Sequence, residues 1–319
     1  MEFLLNFTKV FSGIIEIFLI VSVGVFFSKL KLVDKQGLRT LSALTINLFL
    51  PCLIFNHLIH YFSFSSPRDW WLYPLMGVCI PALGFIVGSV ICAMDKSIKE
   101  KDEFICLISF QNCGYLPLLL VAAIYPNDIA REMFTRIFLF IQGFNVVFWG
   151  FGIQFLYPGE PKFQFKKIFS PPFAALIISM LFIAANLKPF MPTVLMRVTE
   201  LLGNCTLPVA LLSLGIILAE VMSTQVIIRK SFFVKVLFGK LIVMPVIVLG
   251  IISILKLTGF IALILFIEAV MPSAINLGVV SVYQKAKYDL IGRALLVTYL
   301  FAVVSIPFFM ALLSLVYKI

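Results

Sequence analysis

The chain alternates long apolar runs with short polar connections, and the runs last about 20 residues without the two-residue alternation of a strand. Reading for that length predicts ten spans, at 11–30, 38–58, 70–94, 102–125, 132–157, 171–187, 193–222, 230–255, 259–282 and 289–317. Two of them are interrupted near the middle by polar residues and proline. They read DEFICLISFQNCGYLPLLLVAAIY, from Asp102 to Tyr125, and FIALILFIEAVMPSAINLGVVSVY, from Phe260 to Tyr283. A helix in hydrocarbon bonds its own backbone, so a break at mid-depth is tolerated only where it lines a cavity inside the protein. Two breaks in corresponding places point to the substrate site of a transporter.

The two halves of the chain match. Asn47 to Pro51 in span 2 and Asn204 to Pro208 in span 7 share the pattern N-x-x-L-P, 157 residues apart. The same offset carries Gln111 onto Glu268 and Tyr115 onto Pro272. This predicts an internal repeat, with one five-helix unit at 1–157, a short linker at 158–170 and a second unit at 171–319. Five spans is an odd number, so the second unit enters the membrane inverted and the two broken helices run antiparallel. The expected fold class is an all-α polytopic membrane protein: ten transmembrane helices in two inverted repeats, with crossed broken helices.

Composition sharpens the class. Hydrophobic residues are 62% of 319, mean hydropathy is +1.11, and charged residues are 13%, about half the usual soluble share. The net charge of +10 does not mark a nucleic-acid binder, because the basic residues sit in loops between spans. Sixteen lysines and arginines fall in the odd-numbered loops and eight in the even-numbered loops and termini. The positive-inside rule then makes the odd loops cytoplasmic and puts both termini outside, in a multi-pass protein of the lipid bilayer. Lys240 alone is left over from this count, and it lies within span 8. The six cysteines lie in apolar stretches without C-x-x-C spacing, which fits neither a disulfide framework nor a metal site. The first run, Phe11 to Leu30, is too long for a signal-peptide core and is expected to stay as a span.

Candidate chemistry gathers at the breaks. Each is followed by proline, Pro117 and Pro272, and each second half-helix is expected to begin there, aiming unpaired N–H groups at the crossing. Helix N-termini favour carboxylates, while the carbonyl ends of the first halves suit a proton donor, a cation or a substrate hydroxyl. Around them stand Gln111, Asn112 and Gly114 in span 4 and Glu268, Ser273 and Asn276 in span 9. This polar set has no basic member, which fits a small organic anion better than a phosphate. Glu268 has two readings: a coupling group that carries a proton or helps hold sodium, or a structural ion pair with Lys240. Gln142 and Asn145 in span 5 either face the crossing or bond a neighbouring helix; at the same offset lie Tyr299 and Ala302, with Thr298 and Ser305 nearby. Gly84-x-x-x-Gly88 predicts close helix packing. His57 and His60 are read as interfacial, since no acidic or cysteine ligand accompanies them. No cofactor is expected beyond proton or sodium coupling.

The stretches LFLPCLIFNHL, ISFQNCGYLPLLL, NCTLPVALLSLGIIL and MPSAINLGVVSVY, with SIPFFMALL in the last span, together resemble the auxin efflux carrier superfamily. That superfamily includes plant PIN auxin exporters and bacterial malate or malonate permeases. The resemblance covers nearly the whole chain and implies a fold like that of sodium/bile-acid symporters. Spans 1, 2, 6 and 7 would form a scaffold that pairs as a homodimer, and spans 3–5 and 8–10 a moving transport core. It also implies that Asn112 contacts a substrate carboxylate, with Gln142 in a similar role. Pro158 to Ser170 is short where plant members carry a long cytoplasmic loop, so the chain is similar to bacterial forms of the inner (cytoplasmic) membrane. The expected function is secondary active transport or uniport of small organic anions such as malate, by elevator-type alternating access. Two alternatives are a cation/proton exchanger of related fold, which wants paired membrane acids, and a polytopic membrane acyltransferase, which wants a catalytic histidine or paired acid at the membrane face. No Walker A motif is present for ATP hydrolysis.

Overall fold

The computed structural model describes residues 2–64, 69–156, 169–222, 230–281 and 285–316, and among them every regular element is helical. The first is α1 (Glu2–Lys29). Next, α2 (Lys35–Leu44) runs through a π-turn, Thr45–Phe49, into α3 (Leu50–Tyr61), followed by α4 (Leu72–Met94). A broken pair comes next, α5 (Lys101–Ser109) and α6 (Tyr115–Ile124). The helix α7 (Asn127–Val147) continues through the π-turn Phe148–Gly152 into α8 (Ile153–Leu156). Then come α9 (Pro171–Ala184), α10 (Thr193–Asn204) and α11 (Thr206–Met222). After these, α12 (Lys230–Phe238) passes through the π-turn Gly239–Val243 into α13 (Met244–Ile254). A second broken pair, α14 (Gly259–Val270) and α15 (Ile275–Ser281), precedes α16 (Lys285–Val316).

Among the described residues, seven helical stretches are long and apolar enough to cross a membrane: Phe3–Lys29, Gln36–Tyr61, Leu72–Met94, Asn127–Gly152, Thr193–Glu220, Lys230–Ile254 and Asp289–Val316. Tyr115–Ile124, Pro171–Ala184 and Gly259–Val270 are apolar but shorter. The predicted stretches 102–125 and 259–282 miss the length criterion because each is unwound in its middle. α1 begins well before residue 11: Asn6 does not stop the helix, because its Nδ2 donates to Ser314 Oγ on α16 at 2.8 Å.

Prolines explain the irregular turns. A proline has no N–H and its ring crowds the carbonyl four residues earlier. For Pro51 that carbonyl belongs to Asn47, inside the π-turn; for Pro208 it belongs to Asn204, the last residue of α10. Both N-x-x-L-P motifs therefore mark a helix defect, and the side chains of Asn47 and Asn204 are exposed beside it. Pro245 follows the third π-turn in the same way.

Packing rests on glycines that bring backbones into contact, as membrane interfaces require when no hydrophobic force drives helices together. A methyl group on Gly24 of α1 would overlap the Leu212 carbonyl of α11, and one on Gly215 would overlap the Val21 carbonyl in return. Gly77 and Gly143 stand in the same relation to Phe140 and Pro74 across α4 and α7. Gly84 and Gly88 lie on Ser109 and Ile105, so the predicted glycine pair seats α5 against α4. α3 packs on α9 and α10, with Gly203 close to Leu53 and Asn56 Nδ2 donating to Met196 O at 2.9 Å. It also meets α7 through the His57 ring, bonded at 2.6 Å to the Arg131 carbonyl and set against Phe134 and Phe138.

Gly143→Ala is expected to lower stability by about 1–3 kcal/mol, because a backbone carbonyl cannot yield to the new methyl. Gly250→Ala, with open space around it, is expected to be neutral or to gain up to about 1 kcal/mol. Thermal unfolding of both variants in detergent checks the contrast.

Candidate functional site

The two helix breaks have different local causes. In span 9, Pro272 drives the residue before it out of helical conformation: Met271 adopts φ −68, ψ 144, and α14 stops at Val270. In span 4, α5 stops at Ser109, Phe110 is extended, and α6 restarts at Tyr115 with Pro117 in its first turn, where a missing N–H is harmless. The helix therefore begins two residues before Pro117 and not at it. Pro272 instead ends the first half-helix and lies in the unwound link, with α15 starting at Ile275.

The two unwound links cross antiparallel and bond to each other through the main chain. Asn112 N donates to Pro272 O at 2.8 Å and Ala274 N donates to Phe110 O at 2.9 Å, forming a bridge centred on Gln111 and Ser273. Gln111 thus faces Ser273, 162 residues away. Glu268 sits in the last turn of α14.

Side chains close the carbonyl end. Ser273 Oγ donates to Leu107 O at 2.6 Å, and Lys240 Nζ donates to Ile108 O at 2.9 Å. Lys240 comes from the π-turn between α12 and α13, where the adjacent Gly239 leaves room for Ile108: a methyl there would lie 2.6 Å from Ile108 Cδ1. Glu268 and Lys240 are both fully buried and near enough to feel each other's charge. They do not form an ion pair, since the lysine nitrogen is turned to the Ile108 carbonyl. Glu268 and the neighbouring Gln111 are both fully buried and adjoin each other.

The opposite side of the crossing is less closed. Exposure rises from Gln111, fully buried, through Asn112 at 6% to Gly114 and Tyr115, which are half-buried. Asn112 Nδ2 donates to Tyr299 Oη of α16 at 2.6 Å. The remaining Asn112 N–H and the Tyr299 O–H are then free to donate to an anion beside the start of α6. The sequence marked Tyr299 as the 157-residue counterpart of Gln142, but not as a partner of Asn112. Gln142 is buried on α7 with Nε2 bonded to Phe138 O at 3.1 Å in its own helix and Oε1 unpaired. The preceding Ile141 abuts Gly114, so α7 lines the break. Asn276 is exposed in the first turn of α15 and lies outside the buried cluster, and Asn145 is half-buried. Among the described residues, no group of histidine, cysteine and acidic side chains is arranged to hold a metal.

A family model described as membrane transport protein matches residues 9–162 and 160–310. An uncharacterized transporter of Methanothermobacter thermautotrophicus is 22% identical over 303 residues, covering 92% of this chain and 95% of its own. The Arabidopsis thaliana protein PIN-LIKES 2 is 31% identical over 97 residues, 30% of this chain and 21% of that protein. An uncharacterized transporter of Saccharomyces cerevisiae is 24% identical over 169 residues, 47% of this chain and 40% of that protein. The chain therefore spans less than half of the plant and yeast relatives in these alignments.

Ser273→Ala leaves the Leu107 carbonyl buried and one bond short, and is expected to lower stability by about 1–3 kcal/mol. Ser179→Ala is the control: Ser179 bonds only back to Ala175 within its helix, and its loss is expected to be nearly neutral. Parallel melting curves of the two variants decide whether the crossing is held by this hydroxyl.

Proposed function

The chain belongs to the membrane transport protein family, the auxin efflux carrier superfamily of the sequence resemblance, and on that premise we propose that it is a secondary transporter of small organic anions such as malate, bound at the crossing of its two broken helices. The observation that carries the reading is the two-sided crossing. One side offers the start of α6, the Asn112 amide and the Tyr299 hydroxyl. The other is sealed by Ser273 and Lys240 on helix carbonyls. Partial positive charge and neutral donors suit a carboxylate without trapping it as strongly as an arginine would.

In this reading the seven long helices, Pro171–Ala184 and the two broken helices are ten spans in two inverted repeats, 1–157 and 171–319. The two matched segments of the family model meet at 160–162, inside the 158–170 linker, which supports that division. α1, α2–α3, α9 and α10–α11 share contacts and form a scaffold, which pairs as a homodimer. The other helices form the core, and its crossing is buried as it stands, so binding requires that core to move past the scaffold in an elevator-type cycle. The odd loops face the cytoplasm and both termini face outside, across the inner membrane. Glu268, buried beside Lys240, is the group that couples transport to protons.

Reconstituted vesicles offered malate, malonate, succinate, lactate and indole-acetate, with and without imposed proton and sodium gradients, test the proposal. Asn112→Ala is expected to cut uptake roughly 10- to 100-fold with membrane insertion intact, the loss of one hydrogen bond to a charged group. Uptake equal to that of the parent chain rejects the crossing as the substrate site. Glu268→Gln is expected to remove the dependence of uptake on a pH gradient; a variant still driven by that gradient rules the residue out as the coupling group.

A further inference from the structure

Resting on the crossing as the transport site, we infer that Lys240 is a tethered cation that occupies the place an inorganic coupling ion would otherwise take, so that this chain works without sodium. In a broken membrane helix the carbonyl end of the first half is where a coupling sodium ion finds oxygen ligands. Here that end is α5, and its Ile108 carbonyl already receives Lys240 Nζ at 2.9 Å. The last turn of α14 brings Glu268 to the same buried region. Two helix C-termini, each carrying about half a negative charge, converge there with a carboxylate. While the carboxylate is ionised, such a cluster away from water is stabilised by a positive charge. Lys240 supplies it through a covalent stem, delivered by the π-turn Gly239–Val243 and given space by Gly239.

The oxygens near it belong to the Glu268 carboxylate and the adjoining Gln111 amide, both fully buried. Removal of the lysine side chain would add the Ile108 carbonyl to this set. Four oxygens, one pair of them charged, would then surround a buried volume the size of an aminobutyl group. A hard monovalent cation such as sodium fits that donor set. The specificity of the site for a tethered over a free cation is thereby assigned to one residue, Lys240, which touches no substrate.

The test uses the purified full chain in detergent and reads melting temperature in sodium chloride against choline chloride at equal ionic strength. The parent chain is expected to show no sodium-specific change. Lys240→Ala is expected to be destabilised in choline and to regain roughly 2–4 °C in sodium, the shift produced when an ion binds only the folded state. The double variant Lys240→Ala, Glu268→Gln carries no buried charge, so it is expected to fold in both salts with no difference between them. A sodium-specific rise in the parent chain overturns the inference. So does a Lys240→Ala variant indifferent to sodium, or one that yields no folded protein in either salt while the double variant does. None of these readings uses a substrate. A parallel arm with malate therefore reports separately on the anion site, and its failure leaves the cation result standing.

Discussion

Unwinding a helix inside an apolar layer strands several N–H and C=O groups at once, and the way they are paired again governs this molecule. The two breaks serve each other: Asn112 N and Ala274 N donate across the crossing to Pro272 and Phe110. What the main chain leaves over is taken by a hydroxyl from the opposite link and an amine from a third helix. Those partners reach their places only because neighbouring helices come unusually close. Gly84 lets α4 lie on Ser109 at the end of α5, and Gly239 admits Ile108 beside Lys240. The glycine contacts, the π-turn and the buried lysine are thus consequences of the same need.

The crossing also sorts charge. Helix ends of one sign gather where Glu268 and Lys240 are buried, and those of the other sign lie toward Gly114 and Tyr115, where exposure increases. In the proposed reading, the sealed negative pole and the less buried positive one bind an anion from a single side, with neutral donors giving direction and the dipoles giving sign. That polarity comes from backbone direction and is independent of any basic side chain at the accessible pole.

Much of this was legible in the sequence, and the reasons for the gaps are specific. Helical class and the two breaks could be read because Gln111 and Asn112, like Pro272 and Ser273, interrupt apolar runs at a depth where lipid cannot satisfy polar groups. The glycine spacing at Gly84 and Gly88 announced a close contact, though not that its partner is α5. Register at the crossing was not legible. The equal spacing of the two N-x-x-L-P motifs carried no information on which residues pair across the links, where Gln111 meets Ser273. The starting point of α15 was missed because Pro272 acts backward on Met271 instead of forward on the helix. Tyr299 stood out only by its offset from Gln142, and its contact with Asn112, 187 residues away, had no signal in the sequence. Lys240 was recognised as unusual, but a sequence cannot say whether a buried amine turns to a carboxylate or to a carbonyl.

The bridge between the two links is written entirely in main-chain atoms, and this has an evolutionary consequence. Hydrogen bonds from Asn112 N and Ala274 N do not depend on which side chains those positions carry. On the proposed function, residues beside the crossing can be exchanged, altering which cargo is accepted, without losing the frame that presents it. The part of the molecule that holds its shape and the part that chooses its passenger are inherited separately.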